Sequence, residues 1–387
     1  MTHCADADSL AEMDRAPIAP QLVQEHIEQA AARLAERRAD ALFVFRRTNI
    51  LAFCGVPLEP SDRLVCGFVH RDGQVGFVVP AFEAENAATL PPGSQVATWE
   101  EHEDPFEAVK TIAKGMGIER GRIILDKFTW LDIQTRLAKA LPQATLEVDS
   151  DLIEGIRMIK SAGELEAMRA ACEETGRIYG IVAKKLRAGV SEIELRSEVI
   201  HALEILGVNP FGDIIQGGES ASVPHQPTGS RVFRDGDAVI VDFVAARGGY
   251  LGDMTRTFAV DGVSEEIKAA YRVVRAAQAK AISTIRPGLT CEAIDAAARS
   301  VIETGGLGDF FVHRLGHGIG MDVHEPPYFA RGNKTVLRAG MCLTVEPGVY
   351  LPGQFGIRIE DVIAVTSSGC EVLTRAVPTD VSPAFTA

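Results

Sequence analysis

The chain has 387 residues, of which 46% are apolar and 24% charged, the balance of a soluble globular protein long enough for two domains. A net charge of −14 repels phosphate backbones, and no long Lys/Arg run offsets it, so nucleic acid is excluded as a partner. No apolar stretch approaches the roughly 18–20 residues of a membrane helix, which excludes a membrane partner too.

The N-terminus, MTHCADADSLAEMDRA, is polar and acidic, so it reads as a flexible tail over residues 1–18 and not as a secretory signal. The seven cysteines are odd in number and contain no CxxC, which fits reduced thiols in the cytoplasm. LVQEHIEQAAARLAERR carries apolar residues at helical spacing. ADALFVF and RGRIILD are short apolar runs, read as buried strands. RLVCGFVHRDGQVGFVVP is two β-rich runs around Asp72-Gly73, which predicts a hairpin. Residues 19–155 are thus expected to form a smaller α/β domain.

The pattern changes near residues 152–160. Ser161 and Glu164 have the spacing of a capping box, and a long helical pattern follows. Within residues 156–387 the sequence repeats itself. LRAGVSEIELRSEVIHALEILG resembles IRPGLTCEAIDAAARSVIETGG, so that Gly189 matches Gly288 and Ser191 matches Thr290. His225 matches His324 at the same offset, and RDGDAVIVDF resembles RAGMCLTVEP at a slightly larger one. Two helix–helix–sheet units related by an approximate two-fold are expected, each with a hydroxyl residue capping a helix.

Each copy carries a pair of acids. Asp242 lies in the buried-strand pattern AVIVDFVA, and Asp253 follows after RGGYLG. A tight turn between Arg247 and Gly248 predicts that Asp242 and Asp253 stand directly opposite each other. Glu346 and Glu360 flank LPGQF, with Gly353 at the turn. Like charges facing across a ladder destabilise it, so four such acids need a positive charge between them. Pairing with Arg256 or Arg358, proton sharing, and divalent metal are the three sources, and metal suits four carboxylates and a histidine best.

His317 is the candidate nitrogen ligand, because a glycine on either side lets backbone and metal approach closely. His225 and His324 are expected on opposite sides of the site, placed for proton transfer or for binding an oxyanion. His313 has no counterpart in the first copy and is read as structural. GHGIG is no dinucleotide loop, since Pro326 and Pro327 forbid the helix that must follow, and HEPPY is no HExxH helix. Ser222 lacks a GxSxG elbow.

VDFVAARGGYLGDMTRTF, GHGIGMDVHEPP, VEPGVYLPGQFGIRIED and PHQPTG together resemble the pita-bread metallopeptidases, in their prolidase and Xaa-Pro aminopeptidase branch. The resemblance covers nearly the whole chain past the tail. It implies an α+β pita-bread catalytic domain with an internal pseudo-two-fold, preceded by a creatinase-like domain. It implies two divalent ions, Mn²⁺ or Co²⁺ before Zn²⁺ or Fe²⁺, held by Asp242, Asp253, His317, Glu346 and Glu360, with Asp253 and Glu360 bridging. A metal-bridging hydroxide would then attack the bond before proline in a short peptide. Glu346 would help as base, His225 and His324 would hold the carbonyl and the tetrahedral intermediate, and Arg358 would support the network. A homodimer is implied on the same ground. Relatives with intact ligands that act on small non-peptide compounds supply the competing reading. Gly252, where many relatives have serine, and the loose form of VPHQPTG are departures that mark candidate pocket-lining positions.

Overall fold

The computed structural model describes residues 18–379 and 381–385. The reading of residues 1–17 as a tail lies outside them. The chain divides between Arg157 and Met158 into two compact units.

The first unit follows the alternation of its sequence. Helix α1 (Pro20–Glu36) buries Leu22, Val23, Ile27, Ala30 and Leu34 on one face, and β1 (Ala41–Val44) is buried throughout. Helix α2 (Arg47–Cys54) then leads to strands β2 (Cys66–His70) and β3 (Val75–Pro80). These two pair antiparallel around Gly73, whose φ of 88° only glycine adopts readily, as Asp72-Gly73 predicts. Strand β4 (Gln95–Trp99), helix α3 (Pro105–Gly115), β5 (Arg122–Leu125), α4 (Leu131–Ala140), β6 (Thr145–Val148) and α5 (Ser150–Arg157) complete it. The sheet order is β4-β3-β2-β1-β5-β6. Phe43, Phe68, Val109, Ile123 and Leu137 are among the side chains of the core on one of its faces.

The second unit is the repeated one. Its first copy comprises α6 (Ala162–Lys185), α7 (Glu192–Leu206) and a sheet of β7 (Asn209–Gly217), β8 (Ala238–Arg247) and β9 (Tyr250–Ala259). Its second copy comprises α8 (Glu265–Thr284), α9 (Cys291–Thr304) and a five-stranded sheet. That sheet is built from β10 (Gly316–Gly318), β11 (Glu325–Phe329), β12 (Cys342–Val345), β15 (Asp361–Val365) and β16 (Cys370–Val372). Between β12 and β15 the hairpin β13 (Gly348–Leu351) and β14 (Phe355–Arg358) is inserted. Each copy has its own apolar core, one around Val182, Val199, Val241 and Phe243, the other around Val274, Ala298, Leu343 and Ile363.

The repeat extends to hydrogen bonds. Gly189 N–H donates to Phe233 O at 3.0 Å, and Gly288 N–H donates to Leu337 O at 3.0 Å. Ser191 bridges to Val232, and Thr290 to Val336. The caps differ. Ser161 and Ser191 each form a full capping box with the glutamate three residues on. Thr290 occupies the N-cap position of α9 but its hydroxyl makes no capping bond, and with alanine at residue 293 the reciprocal side-chain bond of a capping box is missing as well. Six cysteines are free thiols among the described residues, and no described helix is long and apolar enough to cross a membrane.

Candidate metal centre

Strand alternation decides which side chains of β8 and β9 face the second copy. Val239, Val241, Phe243, Met254 and Phe258 pack against α6 and α7. Asp242, Asp253, Thr255 and Thr257 therefore share the other face. The register corrects one expectation. The turn is centred on Gly248-Gly249, so Asp242 lies opposite Thr255 and Asp253 opposite Val244. The two aspartates are diagonal neighbours, not a direct pair. Both glycines have positive φ, which moves the turn one residue beyond the point that the acids' spacing suggests.

In the second copy the ladder is interrupted where the acids stand. Val345 pairs with Asp361 and Gly348 with Arg358, so the register sets Glu346 opposite Glu360. Both acids fall in the gap between these pairs, and Glu360 bridges to Thr255 of the first copy instead. His317 lies at an irregularity in the β10–β11 pairing. Its flanking glycines are required by neighbouring backbone: a Cβ at Gly316 would lie 2.0 Å from Thr344 O, and one at Gly318 would lie 2.4 Å from Glu325 O.

These elements bring Asp253, His317 and Glu360 together, with one ligand atom from each all within 4.8 Å of one another. All three are buried, at 4%, 3% and 2% exposure. His317 Nε2 lies 3.8 Å from Asp253 Oδ2 and 3.3 Å from Glu346 Oε1. Its Nδ1 lies 3.1 Å from Gly318 O, which fixes the proton there and leaves the Nε2 lone pair toward the acids. Burial, followed by the nearby His324, holds the imidazole pKa down at about 3, so the ring is neutral. A lone pair and carboxylates thus converge.

The acids respond to that crowding. Burial raises Asp253 well above the usual carboxylate range, and the charges of Asp242 and Glu346 add to it. Burial and then Asp253, Glu346 and Asp242 raise Glu360 in the same way. Burial pushes Glu346 up to about 7. Buried carboxylates held partly protonated by one another are what a bound cation would relieve. Oxygen-rich donors with one imidazole fit a hard or borderline divalent ion.

Asp242 is turned to a different partner. Arg358 Nη2 donates to its Oδ2 at 2.6 Å. Arginine pairing thus operates at Arg358, whereas Arg256 is committed to Asp361 at 2.7 Å and meets Glu360 only at its main-chain oxygen, at 2.6 Å. Arg358 also donates to Thr255 Oγ1 at 3.2 Å and to the Tyr350 hydroxyl at 2.9 Å. Thr255 in turn donates to Glu360 Oε2 at 2.6 Å, and Thr344 donates to Glu346 Oε1 at 3.2 Å. Thr255, Thr344 and Tyr350 escape a reading by residue type. Period-two spacing was the available signal, since Thr255 stands two residues after Asp253 and Thr344 two before Glu346.

His225 and His324 are both exposed. Desolvation lowers the pKa of each ring, helped by Arg358 at His225 and by Arg314 at His324. Their loops are anchored by different means. Buried Gln216 donates through Nε2 to Val223 O and Gln226 O, on either side of His225. The buried pair of Lys160 and Glu325 fixes the residue after His324. The His324 ring meets His317 edge-on, with centroids 4.3 Å apart. His313 has both nitrogens engaged, Nδ1 with Arg314 O at 2.7 Å and Nε2 with the Tyr350 hydroxyl at 2.9 Å. Ser222 binds Glu219 O and the Gly353 N–H, a loop-holding role.

Gly252 does not line the site. It lies on the face toward α6, where a Cβ would stand 2.6 Å from Ala171 O. Glycine is demanded there by the close approach of helix and strand.

Comparison with known proteins agrees with this architecture. Residues 166–367 match the family model of metallopeptidase family M24, and residues 26–159 match that of the creatinase/prolidase N-terminal domain. The chain is 34% identical to an Xaa-Pro dipeptidase of Lactobacillus delbrueckii subsp. lactis over 88% of its length and 94% of the relative's. It superposes on a prolidase from Thermococcus sibiricus with a TM-score of 0.85 at 29% identity, covering 93% of this chain and 98% of the other. An X-Pro aminopeptidase from Thermotoga maritima gives 0.81 at 27% identity, covering 90% and 97%. The chain belongs to metallopeptidase family M24, in its pita-bread prolidase branch.

Proposed function

We propose that the protein hydrolyses the Xaa-Pro bond of dipeptides or short peptides at a centre of two divalent ions. Asp242, Asp253, His317, Glu346 and Glu360 would hold them, and the oxygen-rich set favours Mn²⁺ or Co²⁺ over Zn²⁺ or Fe²⁺. The observation that carries this reading is the convergence of the His317 lone pair and the buried carboxylates. Bound divalent ions supply Lewis acidity, polarising a carbonyl and easing the attack of water near neutral pH.

The chain's own residues do the rest. Glu346, with a pKa near 7 before a cation is present, is matched to accepting a proton from the attacking water. His225 and His324, neutral and exposed, present ring N–H donors to the scissile carbonyl oxygen and to the charge it develops. Arg358 fixes the direction of Asp242 and, through Thr255, that of Glu360. A Xaa-Pro bond has no N–H, so a site for it needs no acceptor for one. A homodimer and a cytoplasmic location belong to the same proposal, supported by the family likeness and the free thiols.

The test is product formation from Ala-Pro and Ala-Pro-Ala after chelation and after adding back Mn²⁺ or Co²⁺. Metal-restored cleavage is the expected result. No cleavage of either peptide by metal-loaded protein would overturn the peptide reading and favour a small non-peptide substrate.

A further inference from the structure

His225 and His324 occupy matching places in the two copies, but their rings are held differently. The His324 ring packs edge-on against His317. The His225 ring has no hydrogen-bond or aromatic partner among the described residues. Its direction must therefore come from the main chain that carries it.

That main chain is a β-turn. Val223 O accepts from Gln226 N–H at 3.2 Å, with Pro224 and His225 at the two central positions. Gln216 holds both ends of the turn with one amide group. Its Nε2 donates to Val223 O at 3.1 Å and to Gln226 O at 2.5 Å. Two carbonyls can only accept, so the amide must present its nitrogen to them. Gln216 rises from β7 opposite Ile240, on the sheet face that also carries Asp242. The base of the loop is closed separately. The carboxylate of buried Glu192 accepts from Gly217 N–H through Oε1 and from Gly229 N–H through Oε2, each at 2.9 Å. Among the described residues the only other side chain that bonds the turn is Arg358, which reaches Pro224 O at 3.4 Å.

Gln216 is fully buried, and its Oε1 makes no hydrogen bond to a described residue. Packing alone does not call for such a group, since an apolar side chain of the same length would leave no polar atom to satisfy. What glutamine adds is the pair of amide hydrogens, and both are committed to the turn under His225.

We propose that Gln216 is a positioning residue for catalysis, which closes the two ends of the Val223–Gln226 turn and so aims the His225 ring at the scissile carbonyl. This inference rests on the role given to His225 in the Xaa-Pro reading above.

Double-mutant kinetics on the Mn²⁺-loaded protein with Ala-Pro test it. Gln216→Met keeps the length and removes both donors. Alone, it is expected to lower kcat about tenfold with KM little changed, since His225 acts on charge that develops only in the transition state. In the His225→Ala background it is expected to lower kcat no further, because no ring is left to aim. Retained Mn²⁺ is expected to be equal in all four proteins. An unchanged kcat in Gln216→Met would overturn the proposal, as would a fully active His225→Ala. Losses that multiply in the double variant, or a loss of Mn²⁺, would also overturn it by assigning Gln216 to the general frame of the site. Each of these results leaves cleavage of Ala-Pro by the wild type standing. Should Gln216→Met fail to fold, Gln216→Glu takes its place, with the same shape and, ionised, no donor for the two carbonyls. The same pattern of losses is expected and the same departures overturn the proposal. Failure of the wild type to cleave Ala-Pro would overturn the Xaa-Pro reading and this inference with it.

Discussion

The two copies of the catalytic unit supply their acids in different ways. In the first, β8 and β9 form an unbroken ten-residue ladder, and Asp242 and Asp253 project from regular strand positions. In the second, Glu346 and Glu360 occupy the gaps between short strands, and His317 lies at an irregularity in its pairing. A regular ladder fixes where a side chain starts but lets it reach only along the sheet normal. Interrupting the ladder re-aims side chains, at the cost of local backbone pairing. The first copy therefore acts as the rigid wall, and the second brings its acids and its imidazole up to it. Thr255 joins the two, with its backbone bridged to Glu360 and its hydroxyl between Glu360 and Arg358.

The largest effect is expected where the wall meets the second copy. Asp253→Asn keeps the shape and removes the charge. Activity should fall by about a thousandfold or more, since several kcal/mol of transition-state stabilisation depend on the bound ions. Kinetics at saturating Mn²⁺ check it, and near-normal turnover would detach Asp253 from the centre.

Thr255→Val removes the shared hydroxyl but no proposed ligand. Metal affinity should weaken by about 10–100-fold, the usual cost of losing a residue that orients a ligand. Competition with a chelator measures it. An unchanged affinity would show that the backbone bridge alone suffices.

The crowded acids also set a pH dependence. In metal-free protein Asp253, Glu346 and Glu360 hold protons to higher pH than they do unfolded, so the native state binds more protons and stability falls as pH rises. The buried histidines His313 and His317, with pKa held down to about 4 and about 3, slope the other way, but only below about pH 6.5 where the unfolded chain protonates them. Between about pH 6.5 and 8.5 the carboxylates set the slope, and toward its upper end the buried thiols of Cys54, Cys66, Cys172 and Cys342, pushed up by burial, add to it with the same sign. The melting temperature of chelated protein should fall across that interval, and the stabilisation by added Mn²⁺ should grow. A flat profile for chelated protein would show that the acids are not crowded in solution.

The smallest effect compares the helix caps. Ser191→Ala should cost about 1 kcal/mol by removing a complete capping box, and Thr290→Ala only a few tenths, since no capping bond is lost. Equal losses in denaturant unfolding would restore the symmetry that the two sequences suggest.

Much of this could be read before any coordinates. Hydrophobic period placed the strands, Asp72-Gly73 placed a hairpin, and the Ser161 capping box and the Ser191 hydroxyl placed helix starts, because each rests on local chemistry. The same logic failed at Gly248-Gly249, where two adjacent positive-φ residues shift the turn and with it the partner of Asp242. It failed at Gly252, because the approach of α6 depends on tertiary packing that spacing does not report. Arg256 and Arg358 were equivalent candidates in sequence. They differ because Arg358 points along the face of Asp242, while Arg256, three residues past Asp253 and so on the opposite alternation, meets Asp361.

The most direct test of the proposed centre is the metal content of the purified protein. After loading with Mn²⁺ and removal of free ion, elemental analysis should find two ions per chain, released by chelator together with activity. No retained ion, or one whose removal leaves peptide cleavage intact, would contradict the account.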